Sequence, residues 1–136
     1  MTSIDEVFRP GGVLARALDN FTPRASQRQM AARVAEALAA REQLLIEAGT
    51  GTGKTFAYLV PALLSGLRVL ISTGTRTLQD QLYMRDIPLL SGALGRLGHR
   101  RPLGLFLHVP FPGIDMFSML PWVVRIFPWW SPSRPK

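Results

Sequence analysis

The chain is 136 residues long and 47% apolar, which suits one globular domain and excludes a disordered chain. It contains no cysteine, so disulfides, thiolate metal sites and cysteine nucleophiles are excluded together. The formal net charge is +7, with fourteen arginines among the sixteen basic residues. Such a balance favours polyanionic partners, although a solvated arginine-rich surface gives the same number with no partner at all. The opening "MTSIDEVFRP" carries acids and no apolar stretch, so it reads as no secretory signal. With the absent cysteines, this gives a cytoplasmic expectation.

Along the chain, "SQRQMAARVAEALAAR" (26–41) places Met30, Val34, Ala37 and Leu38 at helical spacing. Ser26 is the expected N-cap after a turn at Thr22–Pro23. "QLLIE" (43–47) is nearly continuous in apolar residues and predicts a strand buried on both faces. "KTFAYLVPALLSG" (54–66) predicts a helix bent at Pro61 and ended by Gly66. "RVLIST" (68–73) predicts a second buried strand, and "RTLQDQLYMRDI" (76–87) a further helix. Helices alternating with buried strands imply an α/β fold with a parallel sheet and right-handed crossovers.

Composition changes near residue 98. All three tryptophans (Trp122, Trp129, Trp130), both histidines (His99, His108) and seven of the eleven prolines follow it. Two units are therefore expected: an α/β part over 1–98 and an irregular, proline- and aromatic-rich tail over 99–136. Prolines interrupt every candidate helix of the tail, and Asp115 and Arg125 break its apolar runs. A membrane-spanning helix is not expected there; an interfacial contact through the tryptophans is the membrane alternative.

Between the first strand and the next helix lies "AGTGTGKT": Ala48, Gly49, Thr50, Gly51, Thr52, Gly53, Lys54 and Thr55. The glycines permit backbone torsions that turn amide N–H groups inward, and the following helix adds its N-terminus, which together cradle phosphate oxygens. Lys54 is placed to reach the β and γ phosphates of ATP, and the Thr55 hydroxyl to ligate Mg²⁺. The competing reading is a glycine-rich turn between strand and helix.

Three further stretches carry a family resemblance. "FTPRASQRQM" (21–30) resembles the Q-motif region of superfamily-two DNA helicases of the XPD-like group, and "EAGTGTGKT" resembles their motif I. "VLISTGTRTLQDQL" (69–82) resembles their motif Ia in the form of the DinG and YoaA branch, and "GGVLARALDNF" (11–21) is similar to that branch's lead-in. The resemblance spans about residues 4–95. It implies a partial RecA-like domain that binds ATP and Mg²⁺, with Gln27 on the adenine and Phe21 and Arg24 shaping that pocket. It further implies contacts from Thr73, Thr75 and Arg76 to the phosphates of single-stranded DNA. Taken singly, Gln27 reads as a surface polar residue and the threonines as a capped helix start.

Other family parts are missing from the sequence. After Thr55 the only acids are Asp80, Asp86 and Asp115, and no two are adjacent, so no acidic pair is placed for the metal and the attacking water. Without cysteine there is no iron–sulphur site, and no sequence builds a second RecA-like domain. The chain alone is expected to bind nucleotide weakly, to be inactive as a helicase, and to self-associate through an exposed sheet edge unless the tail covers it.

The tail resembles something else. "LGLFLHVPFPGIDMFSMLPW" (103–122) is similar to a segment of trehalose-6-phosphate synthases, where the histidine, here His108, contacts the sugar. Two alternatives to the helicase reading follow: a non-enzymatic nucleic-acid or nucleotide-binding fragment, and a remnant of a glycosyltransferase.

Overall fold

The computed structural model describes residues 3–49, 51, 53–67, 69–73, 75–95, 106–108 and 123–126. Two short helices, α1 (Ile4–Phe8) and α2 (Val13–Ala17), lead into the long α3 (Ala25–Ala40). Strand β1 (Leu44–Glu47), helix α4 (Lys54–Ser65) and strand β2 (Leu70–Ser72) follow. A continuous helical rod then runs through α5 (Arg76–Gln81), a π-helical turn (Leu82–Asp86) and α6 (Ile87–Gly95). Two tail strands close the described chain, β3 (Phe106–His108) and β4 (Val123–Ile126).

The core is mainly a helix-on-helix contact. Met30, Ala31 and Val34 of α3 meet Ala57, Leu59 and Val60 of α4, and Val7, Phe8, Leu14, Leu82, Leu90 and Leu94 complete the cluster. From the strands, Leu44, Ile46 and Ile71 pack against it only partly buried. The 3.6-residue spacing read in α3 and α4 is therefore what builds the interior.

Several expectations are corrected by the structure. Helix α3 begins at Ala25 with Arg24 in the extended N-cap position, so Ser26 lies inside the first turn rather than capping it. Strand β1 alternates half-buried and exposed residues, with Leu45 exposed at 69%, so it is covered on one face and not two. The expected single parallel sheet is replaced, among the described residues, by two separate ladders. Strand β1 pairs antiparallel with β4 (Leu44 opposite Ile126, Glu47 opposite Val123), and β2 pairs parallel with β3 (Leu70 opposite Phe106, Ser72 opposite His108). The tail, read as irregular, supplies both edge partners. Strand backbone must hydrogen-bond somewhere, and these four- and three-residue segments satisfy one edge of each helicase-like strand.

The helix expected over 76–87 extends to Gly95 and contains the π turn. Pro88, near the start of α6, can offer no N–H to the carbonyl one turn back and its ring crowds it, and a widened turn directly upstream relieves that conflict. Helix α4 spans the expected residues: Gly66 caps it in the left-handed conformation, and Pro61 sits inside it, buried. None of the described helices is long and apolar enough to cross a membrane.

Candidate nucleotide-binding site

The loop leaves β1 at Ala48 and enters α4 at Lys54, with Gly53 as the N-cap of that helix. Gly51 and Gly53 both adopt positive φ, +73° and +78°. In that region the backbone amide and carbonyl swing to opposite sides of the loop, and only glycine enters it without strain. Thr50 and Thr52 lie outside the described residues.

Three side chains fasten the loop through its carbonyls. Lys54 Nζ donates to the Ala48 carbonyl at 2.6 Å, Gln27 Nε2 donates to the Gly53 carbonyl at 3.1 Å, and the Arg24 guanidinium donates to the Gly51 carbonyl. The start of α3 is thus brought directly against the loop, from a position more than twenty residues earlier in the chain. Gln27 is only 4% exposed, and its Oε1 is buried with no protein partner. Flipping the amide would aim Oε1 at the Gly53 oxygen, so the carbonyl fixes the orientation and leaves an acceptor for something else. Phe21 is half-buried and packs against the core beside this start. Burial lowers the pKa of the Lys54 ammonium from its ordinary value.

Thr55, half-buried in the first turn of α4, reaches a second group that the sequence did not point to. Burial pushes the Tyr58 hydroxyl up to about 12; a hydrogen bond with Thr55 pulls against this rise, and the Asp86 carboxylate adds to it. Asp86 is 2% exposed, and it accepts from Gln81 Nε2 at 3.1 Å and from Arg85 Nε at 2.8 Å. A lone acid in the apolar "DIPLL" pattern was the available signal. The π turn is what carries this carboxylate inward.

A pH prediction follows. Tyr58 ionises more readily unfolded, near 10, than folded, so its neutral form stabilises the fold below pH 10, and that contribution is lost as pH rises through about 12. The whole effect is roughly 2–3 kcal/mol. Tyr58→Phe is expected to flatten the fall in stability between those two pH values, read by urea unfolding across the range. Parallel curves for both proteins would mean the hydroxyl is not held as described.

At the second candidate region the predicted residues separate. Thr73 is 4% exposed, and its hydroxyl donates to the Thr75 carbonyl at 3.0 Å. Thr75 caps α5, its Oγ1 accepting from Leu78 N at 3.2 Å. The capped helix start is therefore real, and of the three candidates Thr75 and Arg76 are exposed while Thr73 is not. His108 is in β3 opposite Ser72; its side chain and most of the segment 103–122 lie outside the described residues.

A family model described as DEAD/DEAH box helicase matches residues 26–97, from the first turn of α3 to just past α6. The ATP-dependent DNA helicase YoaA of Escherichia coli K12 is 54% identical over 92 residues, 68% of this chain and 14% of that protein. YoaA of Haemophilus influenzae is 50% identical over 95 residues, 70% of this chain and 15% of that protein. The ATP-dependent helicase DinG of Mycobacterium tuberculosis is 48% identical over 85 residues, 60% of this chain and 13% of that protein. The chain thus spans about a seventh of the length of these relatives. With over half of its length matched, and the loop that its fold presents inside the match, the chain belongs to the DEAD/DEAH box helicase family.

Proposed function

We propose that this chain is the ATP-binding part of an ATP-dependent DNA helicase, a partial RecA-like unit that holds the nucleotide in the 48–55 loop. The observation that carries the reading is the coincidence of two features at one place. A glycine loop with left-handed torsions opens onto a helix N-terminus bearing Lys54, and Gln27 presents a buried, unpartnered acceptor beside it. Such an acceptor costs about 1–3 kcal/mol unless a donor reaches it, and the exocyclic amine of adenine is such a donor.

In this reading Gln27, Phe21 and Arg24 border the base. Backbone amides from Ala48 to Thr55, including Thr50 and Thr52, cradle the phosphates, and Lys54 exchanges the Ala48 carbonyl for the β and γ phosphates. Among the described residues no three acids or histidines gather into a metal group, so Thr55 and the phosphates would hold Mg²⁺ between them. The ion, when bound, neutralises phosphate charge. Among the described residues no acid is assigned to orient a water, and the reading concerns the binding of ATP. Thr75 and Arg76, exposed at the head of α5, are the residues for the phosphates of single-stranded DNA. Leu45, exposed beside a four-residue edge pairing, supports self-association.

Titration calorimetry of the chain with Mg-ATP and Mg-GTP, then with a single-stranded oligonucleotide at low and moderate salt, tests the reading; sedimentation of the same samples reports association. Saturable binding that prefers ATP is expected. Oligonucleotide binding that ignores nucleotide and vanishes with salt, in a chain that binds no ATP, would leave only a basic surface.

A further inference from the structure

One of the loop's fastenings comes from a residue whose expected role was elsewhere. Gly51 and Gly53, both at positive φ, turn their carbonyls outward, toward the start of α3. The outward carbonyls are the ones met by Arg24 and Gln27, which sit one helical turn apart at the start of α3. Gln27 also keeps an acceptor for a ligand; the bond that Arg24 makes here is to the loop backbone itself. Arg24 is exposed, so its bond to Gly51 is made without burying a charge, and it reaches the loop through the fixed start of a sixteen-residue helix.

We propose that Arg24 is a latch for the phosphate-binding loop: its guanidinium, held on the Gly51 carbonyl, keeps the loop's amides aimed inward before a nucleotide arrives. It is a positioning residue, acting on the phosphates through Gly51. The proposal deepens the ATP-binding reading and rests on it for the identity of the ligand, but the latch itself is a contact within the chain. Arg24 and Gln27 at the start of α3, and Lys54 at the start of α4, supply the fastenings named.

The test uses the whole chain in buffer free of phosphate and sulphate. Hydrogen exchange of the peptide spanning 47–56 is compared for the wild type, Arg24→Ala, Arg24→Met and Arg28→Ala, without nucleotide. Arg24→Met keeps the aliphatic stem should the alanine variant fold poorly, and Arg28→Ala removes the same charge from the same helix. Binding of tripolyphosphate and of ATP is then measured on each. The latch predicts exchange in the loop at least about fivefold faster in both Arg24 variants, with Arg28→Ala and the rest of the chain unchanged. It also predicts that tripolyphosphate, which has no base, weakens by about the same factor as ATP, near tenfold. Unchanged loop exchange would overturn the latch. So would an Arg24 variant that loses ATP but keeps tripolyphosphate, which would mean that Arg24 acts through the base alone. A wild type that binds neither ligand, yet shows Arg24-dependent loop protection, would retain the latch and sink the ATP-binding reading.

Discussion

Replacing Lys54 with alanine is expected to weaken Mg-ATP binding by at least about a hundredfold, and in practice to abolish it in a calorimeter. A hydrogen bond between charged partners contributes roughly 1.5–3 kcal/mol, and the ammonium would make one to each of two phosphates. The same group donates to the Ala48 carbonyl at 2.6 Å, so binding would exchange a neutral acceptor for an anionic one. Burial, which lowers the pKa of this ammonium, is offset far better by a phosphate than by a carbonyl. The fold should notice the change much less, since one partly buried side-chain bond contributes only about 1 kcal/mol. The informative result is therefore a pair: a melting temperature within a few degrees of wild type, and no heat on titration. Binding that survives the substitution would show that ATP is held outside the loop. A large loss of stability would mean the Lys54–Ala48 bond holds the loop shut more firmly than its geometry suggests.

The parts of this site that were legible in the sequence are those whose chemistry is local. Glycines at 49, 51 and 53, a lysine at the first helical position and an apolar strand before them dictate one another within ten residues, and α4 starts and stops where its sequence implies. The start of α3 was misplaced by two residues, because Arg24 rather than Ser26 takes the extended cap conformation. What was not legible depends on distant chain. The apolar run of β1 cannot say how many of its faces will be covered, and Leu45 is exposed because only the Leu44–Ile46 side meets the helices. Nor does it say that Val123–Ile126 will pair with it, since strand pairing at that separation leaves no mark on either segment. Thr73 illustrates the same limit from the other side. Its place in the motif suggested contact with DNA phosphates, yet it is buried with its hydroxyl committed to the turn. The π turn escaped periodicity because one extra residue shifts the 3.6-residue phase; Pro88 was the clue, being a residue a regular helix interior does not tolerate easily. That turn buries Asp86, whose charge acts on Tyr58, itself hydrogen-bonded to Thr55, so a feature hidden from the pattern lies beside a residue the pattern named.

Alanine placed in turn at Gly49, Gly51 and Gly53 should separate the two demands the loop makes of glycine. At Gly49 an added Cβ meets nothing within 4 Å and no positive φ is required, so stability should stay within about 0.5 kcal/mol of wild type. At Gly51 the new methyl also has open space, but φ is +73°, and the left-handed conformation costs a substituted residue about 1–2 kcal/mol. At Gly53 both demands act together. The φ is +78°, and the Cβ would lie 2.1 Å from Gln27 Nε2 and 2.8 Å from its Cδ. Gln27 must then swing away, losing its 3.1 Å bond to the Gly53 carbonyl and leaving a buried amide unpaired, a further cost of about 1–3 kcal/mol. The expected order of stability is Gly49→Ala, then Gly51→Ala, then Gly53→Ala, read from urea midpoints at constant slope. Combining Gly53→Ala with Gln27→Ala isolates the steric part, because the smaller side chain removes the collision and the double variant should fall less than the sum of the two singles. Full additivity would show that Gln27 does not occupy the space behind Gly53. The buried Oε1 acceptor and the loop carbonyl would then not be coupled through one side chain.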